Sequence, residues 1–234
     1  MLKLLKFGFG NSKLQRGEVI FDLPAGHTCP FALNCLSRAD RKTGLIKDGE
    51  QTQFRCYAAS LENMRPNVRN AHWHNFDLLK GKTLGEMIKI IDNSLPHALL
   101  YRIHSSGDFF KQSYFDAWLA IAKRYPNRIF YAYTKALPFW LLRKDDIPSN
   151  FKLTASKGGK HDAMIQEHGL KFAQVVLSPG EAKRLKLKTD KTDELAWKQD
   201  KSFALLIHGT QPAGSEAGKA WYKLRKSGLS GYGS

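Results

Sequence analysis

Apolar stretches of strand length alternate along this chain with stretches of helical periodicity, and that alternation restricts the fold more than any other feature. Residues 19–21, 99–104, 129–134, 151–155, 172–177 and 203–207 read as strands. In the second, alternation sets Tyr101 and Ile103 opposite Arg102 and His104. Helical signals lie between them. Thr83-Leu84-Gly85-Glu86 has the form of a capping box. Ser113-Tyr114-Phe115-Asp116 opens a helix with Phe115, Trp118, Leu119 and Ala122 on one face. Ser178-Pro179-Gly180-Glu181 opens another, and His168-Gly169 has the form of a helix end on a glycine cap. Strand–helix–strand units impose parallel strands with right-handed crossovers. Six strands fall short of the eight in a closed barrel. The expected fold is therefore α/β, a partial (β/α) barrel of about six mostly parallel strands.

The 234 residues, 42% hydrophobic, suffice for a real core. No boundary interrupts residues 1–225, which read as a single α/β domain, and the glycine- and serine-rich end, 226–234, reads as a flexible tail. Residues 36–55 read as a polar insertion and 186–201 as a charged loop. The first ten residues, MLKLLKFGFG, are broken by Lys3 and Lys6, so they read as a starting strand or packed arm rather than a signal peptide. No run approaches the roughly 20 apolar residues of a membrane span, and no membrane is expected as a partner.

All three cysteines, Cys29, Cys35 and Cys56, fall within a region at 27–60 that follows the first strand. An odd number argues against a disulfide framework. Three thiolates can hold a [4Fe-4S] cluster and leave one iron open for a small molecule. Pro30 would stiffen the loop, and Asn34 could supply a hydrogen bond to the charged sulfurs. A structural zinc site normally takes four ligands, so a Cys3His zinc protein is the alternative, with His27, His72 or His74 as the fourth.

Other polar groups fall at strand ends, where sites form in this architecture. His104-Ser105-Ser106-Gly107-Asp108 ends the second strand, and Ser106, Gly107 and Asp108 are candidates to receive a ligand. Lys135, Ser156 and Lys157 would line the same mouth, and Gly158-Gly159 could bind an anion on a helix N-terminus. The formal charge of +16, from 37 basic and 21 acidic residues, points to a polyanionic partner, most commonly nucleic acid. Arg65, Arg69 and Trp73, with His72 and His74, lie on an expected helix after Cys56 and could face phosphates and bases. The densest basic run, 184–188, reads as a solvated helix face. No zinc-finger, helix-turn-helix or RNA-recognition signature is present.

Together, the cysteines after the first strand and Ser106-Gly107-Asp108 after the second resemble a radical S-adenosylmethionine core. That resemblance implies a cluster on Cys29, Cys35 and Cys56, and a turn at 106–108 that receives the amino group of S-adenosylmethionine. The superfamily's usual spacing is C-x3-C-x2-C; here it is C-x5-C followed by a cysteine after 20 further residues. The stretches TCPFALNC, FRCYAASLENMRPNVRNAHWHNFDLL, RIHSSGDFFKQSYFDAWLAIAKRYPN and FYAYTKALPFW resemble the bacteriophage family Gene product 88. This implies a phage protein in the cytoplasm of a bacterial host and brings no activity with it. The expectation is an iron–sulfur protein with radical chemistry at an open iron. A non-catalytic nucleic-acid-binding protein with a structural cluster is the alternative from another class.

Overall fold

The computed structural model describes residues 3–10 and 17–229. Its strands are β1 (Phe7–Phe9), β2 (Val19–Phe21), β3 (Ser37–Ala39), β4 (Ile46–Asp48), β5 (Leu100–Ile103), β6 (Ile129–Thr134), β7 (Phe151–Ser156), β8 (Phe172–Val176), β9 (Lys188–Thr189) and β10 (Phe203–Leu206). Its α-helices are α1 (Tyr57–Met64), α2 (Pro66–Leu79), α3 (Leu84–Ser94), α4 (Gln112–Arg124), α5 (Leu137–Leu141), α6 (Ala163–Glu167), α7 (Pro179–Arg184), α8 (Glu194–Lys198) and α9 (Glu216–Lys226).

Eight strands form one sheet in the order β1-β2-β5-β6-β7-β8-β10-β9. All pairings from β2 to β9 are parallel, and β1 alone is antiparallel. All six expected strands are present and adjacent in chain order. A mixed α/β fold with a mostly parallel sheet follows. The sheet ends at β1 and β9 rather than closing into a barrel.

The alternation explains the packing. Val19 and Phe21 of β2, Tyr101 and Ile103 of β5, and Phe130 and Ala132 of β6 share one core with Tyr114, Phe115, Trp118 and Ile121 of α4. Trp118 is fully buried there, so its truncation to alanine would remove about 3–5 kcal/mol. The opposite sheet face presents Tyr131, Ala173 and Phe203, which pack against Ala196 of α8. The 186–201 segment, expected as a loop, thus supplies both edge strand β9 and a short helix on that face.

Local capping accounts for several boundaries. The Thr83–Glu86 capping box opens α3, and Ser178 accepts from the Glu181 N–H ahead of Pro179 in α7. Gly169, at φ +59°, follows the end of α6. Helix α4 departs from expectation: it starts after Lys111 without a side-chain cap, and Asp116 instead binds Gln112 and Arg143. The 36–55 insertion folds into the β3–β4 hairpin rather than an open loop. The N-terminal segment does start with a strand, β1. Residues 230–234 of the expected tail lie outside the described residues, whereas Lys226 still belongs to α9.

Candidate functional site

The loops after the parallel strands converge on a cavity of about 140 Å³. Cys29, Cys35 and Cys56 line it, together with His104, Ser106, Gly107 and Asp108 after β5. Lys135 after β6, Ser156 at the end of β7 and His208 after β10 line it as well, with Arg55, Tyr57, Arg102, Ser105 and Tyr133. A cavity outside the carboxyl ends of parallel strands is where ligands bind in open α/β sheets. The three cysteines therefore line one cavity where the strand pattern placed the mouth.

All three are free thiols. Burial raises the Cys29 pKa well above its ordinary value, with further upward pressure from Asp108, Cys56 and Cys35. The Gly26 N–H donates to Cys29 Sγ at 3.3 Å and opposes that rise. Cys56 stands at the N-terminus of α1 and is pushed up to about 12 by burial and by Cys35, while the amides of Ala59 and Ala58 pull it down. Cys29 and Cys56 thus sense neighbouring charge and meet backbone donors. This donor set is soft and suits iron, zinc or another thiophilic centre. Among the described residues, no group of three or more His, Cys, Asp or Glu side chains is close enough to hold a single metal ion. A cluster differs in its demand, because its thiolates bind separate iron atoms. The residues present fit a cluster in identity and in the cavity they share.

The histidines named for zinc, His27, His72 and His74, are not among the residues that line the cavity. His27 Nε2 lies 2.9 Å from the Ala39 carbonyl, and its ring packs on Trp73. His74 Nε2 lies 2.8 Å from the Leu4 carbonyl. His72 Nδ1 lies 2.7 Å from Glu62 Oε1, and its Nε2 lies 3.7 Å from Asp22. Burial disfavours charge on His72, but the Glu62 hydrogen bond and the charges of Asp22 and Glu62 outweigh it and raise the pKa.

Asp108 is also redirected. Its carboxylate accepts from the Phe109 N–H at 2.7 Å, the Thr134 hydroxyl at 2.6 Å and the Lys135 N–H at 2.8 Å. Burial raises its pKa against these three bonds. It ties the β5 turn to the end of β6, so an ammonium group would compete with bonds already made. Ser106 donates toward the Leu23 carbonyl and Glu62 Oε1. Gly107, at φ +83°, lies so close to the cysteine loop that a Cβ would sit 2.6 Å from Thr28 Oγ1. The turn expected to receive a ligand mainly anchors the cysteine loop. Lys135 does face the cavity and donates to Ser156 Oγ at 2.6 Å. Lys157 does not: it is exposed, 3.4 Å from Gln174 Oε1 and above the Phe172 ring. The amides of Gly158 and Gly159 bind the Asp162 carboxylate at 2.7 and 2.8 Å, so the expected anion is supplied by the chain itself.

The nucleic-acid residues on α2 are likewise corrected in part. Arg69 is buried and donates to the carbonyls of Glu62, Arg41 and Lys42. Trp73 is packed between His27, Phe76 and the guanidinium of Arg41. Only Arg65, between α1 and α2, is exposed.

Sequence reading missed the layer beneath the cysteines. Glu62 Oε1 accepts from the Ala25 N–H at 2.9 Å as well as from Ser106 and His72. Asp22 accepts from the Ser105 hydroxyl and the Ser106 N–H. Tyr57 donates to the Ser105 carbonyl and receives Arg102 Nη2 at 3.3 Å. Arg102 pairs with Asp193 from the α8 segment. A charged residue inside an apolar strand was the available signal for Arg102; nothing local distinguishes Glu62 from a surface helix position.

A family model described as Gene product 88 matches residues 3–223. The chain belongs to the Gene product 88 family. It is similar to the Gene 88 protein of Mycobacterium phage L5, 31% identical over 90 residues, and to that of Mycobacterium phage D29, 30% identical over 90 residues. Each alignment takes in 34% of this chain and 38% of the relative, so well under half of these curated relatives' length is covered. No solved structure matches. The family match takes in every residue that lines the cavity. Among the described residues, no helix of this Gene product 88 protein is long and apolar enough to cross a membrane.

Proposed function

We propose that this protein binds a [4Fe-4S] cluster through Cys29, Cys35 and Cys56, in a partial barrel similar to that of radical S-adenosylmethionine proteins. The observation that supports it is the convergence of three free thiols on one cavity at the carboxyl ends of parallel strands. Burial makes the Cys29 and Cys56 thiols resist ionisation; a bound cation would reverse that resistance. The reducing cytoplasm of a bacterial host would keep them free. A cluster of this kind supplies electron transfer and an open iron for a small ligand, S-adenosylmethionine being the one the resemblance names. Lys135 and Ser156 are the polar groups on the cavity wall best placed to hold such a ligand's carboxylate, and Gly107 keeps the cysteine loop seated.

Anaerobic purification with iron and sulfide analysis tests the reading. Each Cys→Ala variant is expected to lose most of its iron. Iron-free wild-type protein, or full iron in all three variants, would sink it. Titration of the iron-loaded protein with S-adenosylmethionine separates the two forms of the proposal: heat of binding supports the radical type, and no heat leaves a structural or electron-transfer cluster.

One observation favours nucleic acid as a partner, at a surface other than α2. Helices α7 and α9 and residue Leu187 share a small core through Ala182 and Leu224. Around it stand exposed Lys183, Arg184, Lys186 and Lys188 on one side and Lys219, Lys223, Arg225 and Lys226 on the other. None has an acidic partner among the described residues. Basic residues suit helix C-termini, but that role requires one or two of them. Phosphate binding should weaken linearly on a log–log salt plot, with a slope of about 0.9 per phosphate on duplex DNA. Anisotropy titrations should show Lys223→Glu with Arg225→Glu weakening binding on every sequence alike. No binding at low salt would exclude this partner.

A further inference from the structure

We infer that His104 donates a hydrogen bond from Nδ1 to a sulfur of the group held by the three cysteines. The inference rests on the proposed cluster reading and deepens it.

His104 follows β5 in the left-handed region, at φ +69°. A non-glycine residue there stores about 1–2 kcal/mol of strain, which persists only where the surroundings impose it. The strain has a visible result. Strand alternation would place the ring beside Arg102 on the sheet's other face. Instead it packs against Phe21, Phe109 and Tyr114, and residue 104 is among those that line the cysteine cavity. Residue 104 is 3% exposed, so each ring nitrogen needs a partner from within the protein or from a ligand.

Counting hydrogens assigns the tautomer. His104 Nε2 lies 2.9 Å from the Tyr114 hydroxyl. If Tyr114 donates to Nε2, the phenol proton is satisfied and Nδ1 carries the ring hydrogen. If Nε2 donates instead, the phenol proton and the Nδ1 lone pair are both left unmatched. The first arrangement leaves one buried group unmet and the second leaves two. In the favoured arrangement Nδ1–H is a buried donor without a partner. Its neighbours in the cavity wall differ. Asp108 accepts three donors, Lys135 donates to Ser156, and Ser106 donates toward Leu23 and Glu62. His104 Nδ1 thus offers a buried donor in a wall shared with the three cysteines. Thiolates and sulfides in a partly dry cavity need such donors, and hydrogen bonds to sulfur help set the reduction potential.

The test uses full-length protein prepared without oxygen. Pulsed paramagnetic resonance of the reduced wild-type cluster, with ¹⁵N-histidine, should show a weak nitrogen coupling through a hydrogen bond. The coupling should vanish in His104→Phe, whose iron content should stay near wild type while its reduction potential becomes more negative. His104→Asn, which tolerates the left-handed backbone and keeps an amide donor, should fall between the two. Iron-loaded wild-type protein with no nitrogen coupling overturns this inference alone. So does a strong coupling characteristic of a directly bound nitrogen, or an unchanged potential in an iron-loaded Phe variant. Wild-type protein without iron overturns both this inference and the cluster reading.

Discussion

Gly107 leaves no room for a side chain between the β5 turn and the cysteine loop. An added Cβ would sit 2.6 Å from Thr28 Oγ1, 2.7 Å from Leu23 Cβ and 2.9 Å from the Leu23 carbonyl, on a backbone at φ +83°. Left-handed strain of about 1–2 kcal/mol and overpacking of about 1–3 kcal/mol both oppose Gly107→Ala. The variant should melt well below wild type and retain less iron; an unchanged melting temperature would show that the loop yields freely. His72 carries a pH signature. Its folded pKa is raised from the ordinary 6.5, so its protonated form stabilises the fold. That contribution is complete below 6.5 and is lost as pH rises through the raised folded value. Urea melts of His72→Gln and wild type should therefore differ most at the acid end of a pH 6 to 9 series and converge toward the alkaline end. A difference independent of pH would contradict the charge argument. Residues of this kind mark the limit of sequence reading. The motif at 106–108 was visible, but which donors fill Asp108 depends on Thr134 and Lys135, brought beside it only by the β5–β6 pairing.

Elements were more legible than contacts. Six strands and the α3 capping box follow from local patterns that any window of the chain displays. The β3–β4 hairpin and α8 did not, because both are short and lie in charged stretches, and they owe their form to what they pack against. Helix α2 illustrates the difference in function. Arg65 at its N-cap and Arg69 within it look alike in sequence, yet Arg65 is exposed, whereas Arg69 clamps the loop between β3 and β4 through the carbonyls of Arg41 and Lys42. Arg69→Ala would leave three carbonyls short of a charged donor, at a cost of about 3 kcal/mol, while Arg65→Glu should change stability by less than about 0.5 kcal/mol. Denaturant melts check both. Equal, small effects would mean that Arg69 does not hold the hairpin and would return it to the list of surface cations available to a polyanion.

At the scale of the whole molecule, the open sheet leaves one face to be filled from within the chain, and the 186–201 segment fills it. Ala196 and Trp197 pack on Tyr131 and Phe203, while Arg102 on β5 pairs with buried Asp193 just ahead of α8. The same guanidinium reaches Tyr57, the residue after Cys56, whose hydroxyl holds the Ser105 carbonyl. The filler segment and the cysteine cavity are thus joined through one buried charge. Breaking such a pair from one side costs about 3–5 kcal/mol, since the surviving charge has no water to replace its partner. Replacing both sides with apolar groups removes that penalty. Asp193 adopts φ +60°, a conformation asparagine also tolerates, so Asp193→Asn removes the charge without adding backbone strain. The expected result is a non-additive cycle: Arg102→Met and Asp193→Asn each strongly destabilise the protein, and the double variant loses clearly less than their sum. Hydrogen exchange should localise the damage in Asp193→Asn to residues 188–198 and to the turn at Ser105. Additive losses, or exchange confined to the filler segment, would show that the two regions fold independently and that the buried pair does not link them.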